Sequence, residues 1–254
     1  MTRIPEAART AGLPIILALG LGLLGPGLPA SAAEAVSAAE LVARSTAAHG
    51  GADRLKASSG WTMRGQVASH LEGVNGKIDL EVALDGSLRT EIRYPDRTEV
   101  RILAGALAWN GGRRQQHASK RELSDSMKLQ YHRIVAPFEL ARADPADVVA
   151  LEPDEQGRPR VQIDWNDRLR TIYAMDPDTG LVVGVRGQMG EGEDLVEFVS
   201  EASDFREVEG ILFPYHVTTW VGDSIAAEVT FERIRPEEDF PPSTFVPSGN
   251  AGDL

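Results

Sequence analysis

Lys77-Ile78-Asp79-Leu80-Glu81-Val82-Ala83-Leu84, then Asp85-Gly86, then Ser87-Leu88-Arg89-Thr90-Glu91-Ile92-Arg93-Tyr94, decides the fold. Side chains of a strand alternate between two faces, so Ile78, Leu80, Val82 and Leu84 share one face and Lys77, Asp79 and Glu81 the other. Asp-Gly between two such runs is a hairpin turn signal. Leu88, Ile92 and Tyr94 continue the apolar parity against Arg89, Glu91 and Arg93. Pro95-Asp96 turns the chain again, after which Val100 and Ile102 oppose Glu99 and Arg101. Ala104-Gly105 and Asn110-Gly111-Gly112 bracket a short strand through Trp109. This is an antiparallel meander with one dry face and one charged face.

The same period returns after the middle of the chain. Val161, Ile163 and Trp165 alternate up to Asn166-Asp167. Strand signals follow at Leu169 to Met175, Leu181 to Val185, Leu195 to Val199, Ile211 to Val221 and Ile225 to Ile234, separated by Gly- and Asp-rich turns. The expected total is about eleven short strands. Two segments read as helix. Residues 35–49 carry Leu41, Val42, Ser45 and Ala48 on one face, a Ser37/Glu40 capping box, and Gly50 as the left-handed terminator. Residues 121–135 carry Leu123, Met127, Tyr131 and Ile134 as a stripe, stopped at Pro137. A large antiparallel sheet must cover its apolar face. The predicted fold is therefore mainly β (α+β): a curved, incompletely closed antiparallel half-barrel with a helical lid.

Residues 1–33 read as a cleaved signal peptide. Arg3 and Arg9 supply positive charge, Leu13 to Leu24 an apolar run too short for a span, and Ala30-Ser31-Ala32 a cleavage site. A single domain over 34–247 and a flexible tail over 248–254 are expected. The 254-residue chain has a net charge of −12 and no cysteine. The acidity disfavours nucleic acid and anionic lipid surfaces. The missing cysteines exclude disulfides, thiolate chemistry and acyl anchoring through sulfur. A soluble, exported, monomeric protein with no cofactor is expected.

No catalytic motif stands out. Asp178-Thr179-Gly180 has the letters of an aspartic-protease triplet, but that chemistry needs two carboxylates sharing a proton, and no second copy exists. It reads as a hairpin turn after Asp176-Pro177. His49, His70, His117, His132 and His216 lie in no metal-binding spacing, and no metal site is expected. Three readings remain. An apolar cavity lined by Leu80, Val82, Leu84, Ile92, Trp109, Met127 and Trp165 would hold an acyl chain, at about 0.8 kcal/mol per buried CH₂. A filled core would instead make the sheet a protein-binding or sensor module. A carboxylate converging with His132 or His216 in one cleft would make it a hydrolase.

One resemblance bears on the choice. The signal peptide, the Ala-rich helix ending His49-Gly50-Gly51 with Leu55 after it, Trp61-Thr62-Met63-Arg64-Gly65 entering the meander, and the ending Phe240…Phe245-Val246-Pro247 are similar to the LolA/LolB-like lipoprotein-carrier superfamily. The resemblance implies a half-open barrel with a helical lid that carries lipoproteins or other lipids across the periplasm, between membrane-associated donor and acceptor proteins. Without a lipobox cysteine the chain resembles the soluble carrier rather than the anchored acceptor. In that carrier an arginine on an early strand pins the lid, and Arg64 is the matching candidate.

Overall fold

In a computed structural model of the chain, residues 36–249 are described. The predicted signal peptide lies outside them, and of the predicted tail only Ser248 and Gly249 fall inside. The chain opens with α1 (Ala38–Ala48) and α2 (Ala52–Ala57). The capping box closes α1 as expected: the Ser37 hydroxyl accepts from the Glu40 N–H, and the Glu40 carboxylate accepts from the Ser37 N–H.

A first meander follows: β1 (Gly60–Ser69), β2 (Val74–Ala83), β3 (Ser87–Arg93), β4 (Thr98–Ala104), β5 (Leu107–Gly112) and β6 (Gln115–Ala118). Helices α3 (Arg121–Ile134) and α4 (Ala136–Arg142) interrupt it. A second meander completes the chain: β7 (Val148–Leu151), β8 (Arg160–Asn166), β9 (Leu169–Met175), β10 (Val182–Met189), β11 (Val196–Val208), β12 (Ile211–Val221) and β13 (Ser224–Pro236). The first strand pairs antiparallel with the last, which joins both meanders into one thirteen-stranded sheet. Its edges, β6 and β7, do not pair with each other, so the barrel stays open. These edges are the two strands that sequence reading passes over, because Gln115–Ala118 and Val148–Leu151 are too short to show a period.

The α3–α4 segment connects the two open edges and lies across the inner face, α3 touching β4 and β5 on one arm and β9 and β10 on the other. At the narrow end, Phe138 of α4 packs 6.1 Å from Trp61 and 5.8 Å from Phe213, measured between ring centroids. Leu55, Val82, Tyr131 and Ile211 surround this cluster, each at most 6 % exposed. Full burial of such side chains contributes about 1.5–3 kcal/mol apiece.

One parity differs from expectation. β4 sets Val100 opposite Glu91 and Ile102 opposite Arg89, so both apolar residues face outward with the charges, while Glu99 and Arg101 face in. Val100 and Ile102 are nevertheless fully buried. The C-terminal segment crosses this outer face, from Phe240 beside Gly60 to Ser248, whose carbonyl accepts from the Gln116 N–H at 3.1 Å. The sheet is dry on both sides here, so alternation alone misreports which side is the interior.

Candidate functional site

The inner face and α3 enclose a trough with two adjoining cavities. The narrower, about 90 Å³, lies between α4 and the strands and is lined by Met63, Leu80, Phe213, Ile234 and His49. The wider, about 310 Å³, runs toward the hairpin tips past Val67, Ile92, Tyr94, Phe198 and Val221. Ile78, Gln130, Arg133, Val185, Thr219 and Val229 line both. The narrow cavity's wall is mostly aliphatic because inward positions of β1, β2, β10, β12 and β13 carry Val, Ile, Leu and Met at period two, while the wide cavity adds Ser69, Glu72, Arg101 and Ser126.

Helix α3 presents two faces. Met127 and Tyr131 pack into the core, and the next face carries Ser126, Gln130 and Arg133 into the trough. Leu129 rests on Gly187 of β10, where an added Cβ would stand 3.3 Å from Leu129 Cδ1. Gln130 Nε2 donates to Thr90 Oγ1 at 3.4 Å. Arg133 Nη1 donates to Ser200 Oγ at 3.0 Å, and Ser200 Oγ lies 3.0 Å from Thr219 Oγ1. Among the described residues, no carboxylate oxygen comes within 4.0 Å of the Arg133 guanidinium. Desolvation draws its pKa down to about 10.

His49 closes the other end. It caps α1, is 1 % exposed, and sits in the narrow cavity's wall. Its Nδ1–H donates to the Leu212 carbonyl at 2.9 Å, while Nε2 accepts from the Val182 N–H at 3.0 Å. These bonds require the neutral ring, and burial lowers its pKa. The residue ties a helix to β10 and β12, a role invisible in a histidine at a helix end.

The sequence-predicted cavity residues separate. Leu80 and Ile92 line the trough. Val82 and Met127 lie in the packed core, with Leu84 against it. Trp109 pairs with Ile102 and so belongs to the outer face. Trp165 stacks on His132, ring centroids 3.9 Å apart. Arg64, expected to touch the lid, points outward at 68 % exposure, its Nε 3.4 Å from Asp79. It falls between inward-facing Met63 and Gly65, and strand parity allows nothing else. The arginines on the inner side are Arg101 of β4, which pairs with Glu99 at 3.3 Å, and Arg133, which comes from the helix. The one sequence signal for Arg133 is the spacing Ser126, Gln130, Arg133, which puts a polar stripe beside the apolar one.

The convergence that a hydrolase reading requires does occur, but elsewhere. Glu139 Oε1 lies 2.6 Å from His132 Nδ1, and Glu139 Oε2 accepts from the Tyr173 hydroxyl at 2.9 Å. Burial raises the Glu139 pKa. This triad is packed under Trp165 and lines none of the cavities described above. His216 sits on the outer face, its Nε2 3.9 Å from Glu228. Asp178 lies in the turn that Asp176 organises by accepting from the Asp178 and Thr179 N–H groups.

An open antiparallel half-barrel with helices across its concave face defines a class of protein built around an internal trough. Among solved structures the chain resembles a LolA superfamily protein from Nitrosomonas europaea, at 12 % identity and TM-score 0.53, over 84 % of this chain and 98 % of that one. It also resembles a putative outer membrane lipoprotein-sorting protein domain from Vibrio parahaemolyticus, at 10 % identity and TM-score 0.53, over 82 % and 95 %. The chain has the LolA-like fold. No family model matches it, and no curated protein does. Among the described residues, no helix is long and apolar enough to cross a membrane.

Proposed function

We propose that the protein is a non-catalytic periplasmic carrier that holds a lipid, or the acyl chains of a lipoprotein, in the trough for transfer towards the outer membrane. The observation that carries this reading is the unfilled space between α3 and the sheet, apolar in its narrow part and opening into about 310 Å³ whose wall mixes aliphatic and polar side chains. A filled core would favour a protein-binding module, and this interior is not filled. Exposed Leu71, between β1 and β2, lines the wide cavity together with Val221 and Ala226 of the β12–β13 hairpin, giving a guest an apolar entrance. The LolA-like fold supports the same reading. His132 and Glu139 line neither part of the trough, which favours a non-catalytic reading.

Native mass spectrometry of protein purified from the periplasm, together with displacement of a fluorescent fatty acid, tests the proposal. The expected result is a co-purifying lipid or saturable displacement of the probe. Absence of both overturns it.

A further inference from the structure

Two arginines line the trough: Arg101 reaches the wide cavity from β4 and pairs with Glu99 at 3.3 Å, whereas Arg133 has no carboxylate within 4.0 Å among the described residues and is placed where a guest would lie. Arg133 projects from α3 at the junction of the two cavities. A guanidinium has five N–H donors. Among the described residues, one of them is used, to Ser200 Oγ at 3.0 Å. Ser200 is itself 3 % exposed and lies 3.0 Å from Thr219 Oγ1. Gln130, one turn earlier on α3, adds an amide to the same wall. Every other group at this junction (Ile78, Val185 and Val229) is aliphatic.

A half-buried cation with no carboxylate within 4.0 Å is costly, and its guanidinium binds an oxyanion through strong, charge-assisted bonds. A latch between helix and sheet would need only a neutral donor at this position. A permanent positive charge, with free N–H groups and two hydroxyls beside it, fits a ligand that brings negative charge into an oily channel.

We infer that Arg133, with Ser200 and Thr219, forms a head-group subsite for an acyl chain that ends in a single oxyanion, carboxylate or phosphate. The inference rests on the carrier reading and specifies its guest. The planar fork of the guanidinium matches the two oxygens of either group. The chain would lie along Val67, Ile92 and Phe198 toward the wide mouth.

The test compares three ligands of equal chain length by competition against an uncharged fluorescent reporter: dodecanoate, dodecyl phosphate and dodecanol. The wild type is expected to bind at least one of the two anions about tenfold or more tighter than the alcohol, the scale of one hydrogen bond to a charged group. Arg133→Met, similar in length and apolar, is expected to abolish this preference while still binding dodecanol. Arg133→Lys keeps the charge and is expected to retain part of it.

Which anion binds tighter identifies the source, a fatty acid or a phosphate head group. Equal binding of all three ligands to the wild type overturns the inference and leaves the carrier reading standing. Survival of the preference in Arg133→Met overturns it too. If no ligand binds, the carrier reading itself fails. Should Arg133→Met not fold, the wild-type comparison and Arg133→Lys decide the matter. A merely structural latch would shift charged and uncharged ligands together.

Discussion

Leu129 on the cover helix sits directly on Gly187 of β10, and the absence of a side chain at 187 lets α3 lie this close to the sheet. A Cβ there would stand 3.3 and 3.4 Å from the two Leu129 methyls and 3.5 Å from its Cβ, so Gly187→Ala asks Leu129 to give only slightly and is expected to be nearly neutral. Gly187→Leu has no space. It should cost about 1–3 kcal/mol by overpacking, read as a lower urea midpoint at unchanged slope. A neutral Gly187→Leu would mean that the helix is not seated on this strand.

His49 makes folding depend on acidity. Its two hydrogen bonds need a neutral ring, and burial lowers its pKa below the ordinary histidine value of 6.5. The unfolded chain therefore takes up a proton before the native one does. The stability that His49 supplies is complete above about pH 6.5 and is lost as pH falls through the lowered native value. Burial of Glu139 acts in the opposite sense, because its native pKa is raised. The clean measurement is thus a difference: between about pH 6.5 and 5, stability should fall more steeply in the wild type than in His49→Gln. Parallel curves would show that the imidazole is not held neutral.

Filling the trough should abolish guest binding without unfolding the protein. Val229 lines both cavities from the centre of the sheet. Val229→Trp is expected to weaken binding of a fluorescent fatty acid about tenfold or more, equivalent to about 1.4 kcal/mol. Thermal unfolding checks that the fold survives. Unchanged binding would place the guest outside the trough.

Arg64 supplies the contrast. It lies on the outer face in an exposed pair with Asp79, and such pairs contribute about 0–1 kcal/mol. Arg64→Ala should therefore change neither acyl binding nor the urea midpoint appreciably. A large loss of binding would restore the lid-pinning role that the resemblance implies.

The two meanders were legible because alternation over Lys77 to Leu84 and its successors is a local property of the chain. The capping box of α1 was legible for the same reason, since Ser37 and Glu40 are three residues apart. Sidedness was not. Val100, Ile102 and Trp109 look like interior residues until the C-terminal segment is seen to cover the outer face. Met127 has the spacing of a trough residue but packs one helix face away from it.

What the sequence by itself determined is the mainly antiparallel architecture, the interrupting helices and where the turns fall, because hydrophobic periodicity and turn chemistry act over a few residues. The tertiary structure decided the pairing of β1 with β13, the unfilled trough, and the meeting of Arg133 with Ser200 and Thr219. Those contacts join residues far apart in the chain, and only closure of the sheet beneath α3 brings them within hydrogen-bonding distance.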